Sequence, residues 1–246
     1  MCAKPHPKFP KLSSATPKQL STPAALSPFI EHTLLRADAT KSDIKRLAAE
    51  AVAYGFVAAC VNLFHLETLI EALGNSLITP VVVVGFPLGA TLPSAKAFET
   101  QAATKLGAKE VDMTLNIGAL KARDYTWVRQ DIEAVVQAAA GAWVKVIIET
   151  ALLTEEEKEA ACHLSQQAGA HFVKTCTGFA GGKATEADIA LMRRAVGDSM
   201  GIKASGGIAT AEVATALLLA GANRLGTSSG VKLVRPNEES ETGHGQ

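Results

Sequence analysis

The stretch LGAKEVDMTLN, residues 106–116, changes its rule at Gly107. The residues before it are Ala-rich and follow a helical period. Those after it alternate, with Val111, Met113 and Leu115 pointing one way and Asp112, Thr114 and Asn116 the other. A period of two marks a strand with two different faces, and a glycine at the switch suits the left-handed position that ends a helix. The same helix stop and short strand recur in YGFVAACV, AGAWVKVI, AGAHFVKT, MGIKASGG and AGANRLGT, opened by Gly55, Gly141, Gly169, Gly201 and Gly221. TPVVVVGFP at 79–87 and FIEHTLL at 29–35 supply one strand each, for eight in all.

The segments between the strands are helical by period and by their caps. Residues 40–54 place Ile44, Leu47, Ala48, Ala51 and Val52 on one face, 94–106 follow Pro93, and 154–167 open with the capping-box spacing Thr154 to Glu157. Alternating strands and helices imply parallel pairing through right-handed crossovers. Eight such units in about 208 residues predict a single (β/α)8 TIM barrel. A doubly wound open sheet is the alternative, weakened because no GxGxxG follows the first strand.

Composition narrows the partners. Among 246 residues, 24 Lys and Arg balance 24 Asp and Glu, which argues against nucleic acid or an anionic membrane surface as the main partner. No apolar run has the length of a membrane span. Six of the ten prolines lie in the first 28 residues, whereas all 20 glycines lie at Gly55 or later. The expected organisation is a flexible N-terminal arm over 1–27, dispensable for activity, a barrel domain over 28–235 and a flexible acidic tail over 236–246. No apolar region follows the early lysines as a secretory signal requires, and four cysteines without CxxC spacing fit a reduced, cytoplasmic protein. The histidines form no HxH or HExxH pattern, so a metal site is not expected.

In such a barrel the chemistry sits at the C-terminal ends of the strands. Asp112 falls on the polar face of its strand, where it serves either the site or a structural hydrogen bond. Lys174 in HFVKTCTG and Lys203 in GIKASGG each lie within an otherwise apolar strand. Either lysine alone reads as a snorkelling side chain. Together, on adjacent strands about 4.8 Å apart, they repel, so one of the pair should lose its proton readily and serve Schiff-base chemistry. Lys145 sits earlier in its strand and suits a supporting role. Glycine beside small hydroxyl residues in TGFAGGKAT, SGGIAT and GTSSG suggests an anion site, with backbone N–H groups from Gly206, Gly207, Gly226, Ser228 and Ser229.

Taken together, IEHTLL, EVDMTLNIGAL, VKVIIET, FVKTCTGF, GIKASGGI and RLGTSSG resemble the deoxyribose-phosphate aldolases, a family of class I aldolases. The resemblance covers the whole body from Phe29 to Val234. It implies a metal-free, cofactor-free (β/α)8 enzyme whose partners are a phosphorylated sugar and acetaldehyde. Apolar outer helices such as 213–219 are compatible with a homodimer or homotetramer, but equally with packing on the barrel's own sheet, so the sequence does not decide the assembly. The resemblance implies further that Lys174 is the Schiff-base nucleophile, that Lys203 perturbs Lys174 and joins a proton relay, and that Asp112 pairs with Lys203 and moves protons through water. Gly178, Gly182 and Lys183 would join Gly206, Gly207, Gly226, Ser228 and Ser229 around the phosphate. The family usually has Ser where Cys176 stands, which puts that hydrogen bond in question. Cys176 and Cys60, if accessible in the barrel mouth, would be targets of electrophilic aldehydes. The alternatives are a class I aldolase for a different acceptor and a non-catalytic phosphate-binding barrel.

Overall fold

The computed structural model describes residue 20 and residues 22–235. Most of the expected arm and the whole expected tail, 1–19, 21 and 236–246, lie outside the described residues. Eight strands close into one barrel in chain order. They are β1 (Ile30–Leu34), β2 (Ala58–Val61), β3 (Thr79–Val84), β4 (Glu110–Thr114), β5 (Trp143–Ile147), β6 (Phe172–Lys174), β7 (Gly201–Ser205) and β8 (Arg224–Thr227). Every neighbouring pair is parallel, including β1 with β8, so there is no open edge and the doubly wound alternative is excluded.

The outer layer among the described residues is α1 (Lys41–Ala53), α2 (Leu66–Leu73), α3 (Pro93–Leu106), α4 (Ile117–Lys121), α5 (Tyr125–Ala138), α6 (Glu155–Gln167), α7 (Glu186–Val196), α8 (Ala211–Leu219) and α9 (Gly230–Val234). Local chemistry fixes their ends. Thr40 with Asp43 and Thr154 with Glu157 form full capping boxes, and α3 stops at Gly107 in the left-handed conformation, φ 110°.

Two expectations change. Gly201 does not end a helix: α7 stops at Gly197, and Gly201 is the first residue of β7. Its role is steric, because a Cβ there would come within 2.2 Å of the Phe172 ring. The expected arm also ends too late at 27. Pro23–Phe29 is a 3₁₀ helix packed on α8 and α9, with Leu26 only 1% exposed. Removing residues through 26, expected to be harmless, would strip a core side chain.

The main apolar core lies between strands and helices, where Val111, Met113, Val144, Val146, Val173 and Ile202 point outward. Inside the barrel a second, smaller apolar cluster of Ala58, Cys60, Val81 and Val83 lines only the β2–β3 side. Much of the remaining interior is charged, with Ile147 and Phe172 set among the charges. A buried pair outside the barrel, Lys96 with Asp131 at 2.5 Å, ties α3 to α5, and Lys96 Nζ also donates to the Thr114 carbonyl at the end of β4. Leu26→Ala should lower the unfolding free energy by about 2–5 kcal/mol in urea titration. A loss within about 0.5 kcal/mol, as for a surface site, would contradict the packing of this segment.

Candidate active site

Strand register sets the interior. Asp112 lies opposite Lys145, Ile147 opposite Lys174, Lys174 opposite Lys203, and Lys203 opposite Arg224. On the closing side of the barrel Gly226 lies opposite Glu31. Since alternate residues face inward, this register gathers four basic side chains (Lys145, Lys174, Lys203 and Arg224) around three carboxylates (Glu31, Glu110 and Asp112). Asp112 is the hub. Its Oδ1 accepts from Lys145 Nζ at 2.8 Å, and its Oδ2 accepts from both Lys174 Nζ at 2.7 Å and Lys203 Nζ at 2.6 Å. Lys203 also donates to Glu31, and Glu110 binds Lys145 and Arg224, each at 2.5 Å.

Small and aromatic residues make room for these charges. The Phe172 ring lies 5.9 Å from Lys145 Nζ and 5.4 Å from Arg224 Cζ, positions that suit cation–π attraction. Gly226 is glycine because a Cβ would approach Lys203 Cε to 2.7 Å. It therefore lines the cavity but owes its identity to the lysine stem. Glu31, Cys60 and Asp112 offer donor atoms within 4.8 Å of one another, yet the Lys203 ammonium already bridges the two carboxylates. Lysine thus occupies the place a cation would take.

With every group ionised, four bases against three acids leave one positive charge unmatched in a low-dielectric interior. Burial pushes Lys203 below the usual lysine range, opposed by Asp112 and Glu31 and reinforced by Lys174 and Lys145. Burial acts on Lys174 in the same direction, but the Asp112 carboxylate, with help from Glu31, outweighs it and holds Lys174 above the usual range. The expected repulsion is therefore present, but it falls on Lys203, because Asp112 Oδ2 stands between the two ammonium groups. Lys145, facing three carboxylates, is held well above the usual range.

A cavity of about 560 Å³ opens above this network. Of the seven charged side chains just described, Lys174 is the one that lines it. Gly178, Gly206, Gly207, Gly226, Ser228 and Ser229 line it as well. The Ser229 N–H is taken by Thr227 Oγ1 at 3.0 Å, which removes one of the expected backbone donors. Gly182 and Lys183 stand behind the lining. The Gly182 carbonyl sits against Gly206, and the Lys183 stem occupies the space where a Gly207 side chain would be. Two cations that sequence reasoning missed, Arg36 and Arg46, reach the rim of the cavity, both paired with Asp43. Glu31, Glu110 and Arg224 were missed too. Glu110 shares the inward parity of Asp112, which was a usable signal.

The cysteine expectation is corrected. Cys60 and Cys176 are fully buried, and burial pushes the Cys60 thiol up to about 12 and raises that of Cys176. Such thiols are poor nucleophiles. Cys176 Sγ lies 3.5 Å from Thr150 Oγ1, so it retains a weak form of the hydrogen bond a serine would make.

Comparison with known proteins places this site in context. The model of the DeoC/LacD family aldolases matches residues 28–235. A deoxyribose-phosphate aldolase of Streptococcus sanguinis is 52% identical over 215 residues, covering 87% of this chain and 98% of the relative. Deoxyribose-phosphate aldolase 1 of Bacillus licheniformis is 55% identical over 207 residues, covering 84% and 93%. Among solved structures, a tetrameric deoxyribose phosphate aldolase from Aeropyrum pernix superposes with a TM-score of 0.80 at 32% identity, covering 89% of this chain and 93% of the other.

The network sets an acid limit on stability. Burial works to raise the Glu31 carboxyl, but Lys145 and Lys203 outweigh it and hold it at about 2 against an ordinary 4.5. Asp112 is likewise held well below its ordinary value by its three lysines, against burial. A carboxyl depressed in the folded state contributes stability that is complete above its unfolded value and is lost as pH falls through the folded one. Unfolding free energy should therefore fall between pH 4.5 and 2. Glu31→Gln should make that fall shallower, and an unchanged slope would show that Glu31 is not held ionised by the lysines.

Proposed function

The chain belongs to the DeoC/LacD family of aldolases, and on that premise we propose that it cleaves 2-deoxy-D-ribose 5-phosphate reversibly to acetaldehyde and D-glyceraldehyde 3-phosphate through a Schiff base on Lys174. The observation that carries this reading is the placement of Lys174. It alone of the charged network lines the cavity, and its Nζ shares the Asp112 Oδ2 atom with Lys203.

The reaction follows from that geometry. Lys174 must be neutral to attack the sugar aldehyde, and Lys203 is the more acidic partner. A proton leaving Lys174 for Asp112 Oδ2 while Lys203 accepts one from the same oxygen exchanges their states without moving a heavy atom. The free amine adds to C1, water leaves, and an iminium forms on Nζ. Loss of the C3 hydroxyl proton then lets the C2–C3 electron pair move into the C1–C2 bond as the enamine, with the iminium as its sink. Glyceraldehyde 3-phosphate departs with C3 as its new carbonyl. Protonation of the enamine at C2 and addition of water release acetaldehyde and restore the amine. Proton carriers of this kind contribute about 10²- to 10⁴-fold each.

The phosphate is proposed to sit among Gly178, Gly206, Gly207 and Ser228, with Arg36 and Arg46 at the rim. Anchoring it there uses binding free energy remote from the reacting bond to hold C1 against Lys174. A homodimer or homotetramer, with which the sequence is compatible, draws support from the tetrameric relative and from exposed apolar side chains such as Phe64 and Phe98.

Acetaldehyde followed by borohydride, with peptide mass mapping, should leave an ethyl group on Lys174. Lys203→Met should lower the cleavage rate at neutral pH by about 10²- to 10⁴-fold. Absence of the adduct, or an adduct on a different lysine in the wild-type protein, would contradict the assignment.

A further inference from the structure

Glu149 lies two residues beyond β5 and is spent on neither a cation nor the charged network. It is only 1% exposed, and its backbone is left-handed at φ 55° and ψ 66°, a conformation unfavourable for any residue with a side chain. Its Oε2 accepts twice from one residue, Thr177, from the N–H at 3.1 Å and from Oγ1 at 2.5 Å. Its Oε1 has no hydrogen-bond partner among the described residues. A strained backbone and a half-satisfied buried carboxylate both cost stability, so selection for stability does not account for them.

What the arrangement achieves is visible one step further. The Thr177 hydroxyl, oriented by Glu149, accepts the Phe179 N–H at 3.0 Å, which closes a turn around Gly178. Thr177, Gly178 and Phe179 form one wall of the cavity, three to five residues beyond Lys174. The other side of the same loop is tied to β7, where Ser205 Oγ donates to the Cys176 carbonyl at 2.5 Å. Glu149 thus supplies the β5 anchor of a loop held from both flanks.

We infer that Glu149 is a positioning residue for the phosphate-bearing end of the substrate: through Thr177 it fixes the 177–179 turn against which that group binds. This rests on the function proposed above. Glu149 does not line the cavity and its hydrogen bonds run to Thr177 instead of Lys174, so its effect falls on recognition of the phosphate and leaves imine formation aside.

The test compares kcat and KM for 2-deoxyribose 5-phosphate and for unphosphorylated 2-deoxyribose in the full-length protein. Glu149→Gly removes the carboxylate while relieving the left-handed backbone. It should raise KM for the phosphorylated sugar by about 10- to 100-fold, as expected of a misplaced contact, and collapse the preference for phosphate. Glu149→Gln keeps an acceptor for Thr177 and should restore the preference. If the glycine variant does not fold, Glu149→Asp, which keeps the charge but shortens the reach, should lose the preference in the same way. An unchanged preference in the truncated variant, or an equal fall for both sugars, overturns the inference. Failure of the family reading is distinguishable, because the wild-type protein would then form no acetaldehyde adduct on Lys174.

Discussion

One buried carboxylate, Asp112, accepts hydrogen bonds from three lysines, and the interior of the barrel is built around that fact. Barrels of this kind usually fill their interior with layers of branched apolar side chains. Here Ala58, Cys60, Val81 and Val83 fill the β2–β3 side, Ile147 and Phe172 stand among the lysines on β5 and β6, and the centre is a charged cluster with more bases than acids. Buried ion pairs are poor sources of stability, since desolvation offsets most of their attraction. The arrangement makes sense as a device that holds the Lys203 proton loosely next to Lys174, the lysine that lines the cavity. Its steric consequences reach into the sequence. Gly201 gives way to Phe172, Gly226 gives way to Lys203, and Phe172 in turn faces Lys145 and Arg224.

How much of this can be read from the chain alone depends on whether the signal is local. The strands are legible because glycine-terminated helices and period-two alternation are both short-range features. Lys174 and Lys203 are legible because a lysine in an apolar strand is costly wherever it sits. Glu31 and Arg224 are not, since each stands at the beginning of a strand, where a charge ordinarily reaches solvent, and only closure of β1 on β8 turns them inward. That same closure decides which lysine loses its proton more readily. Sequence gives two neighbouring ammonium groups, and the position of Asp112 between them, with Glu31 behind Lys203, assigns the lowered value to Lys203.

The cavity shows a second limit. Its glycine and serine lining is legible because three consecutive strands end in the same small residues. Arg36 and Arg46 are not, because their approach to the cavity depends on how the segment after β1 and the first turns of α1 are placed against the barrel. Glu149 is invisible for another reason: a left-handed glutamate has no sequence signature, and its hydrogen bonds run to a residue 28 positions away. The neutral charge of the whole chain is consistent with this site, where a few cations and backbone donors at one barrel mouth can hold an anionic substrate without a basic surface.

The central claim is that the crowded network loosens the Lys203 proton relative to that of Lys174. Lysine-selective carbon and nitrogen NMR, titrated in the unliganded protein with Lys174→Met and Lys203→Met variants for assignment, tests it directly. The account predicts that the Lys203 resonance titrates below the ordinary lysine range in the wild-type protein, while Lys174 titrates above it. Both lysines titrating together in the ordinary range would contradict it.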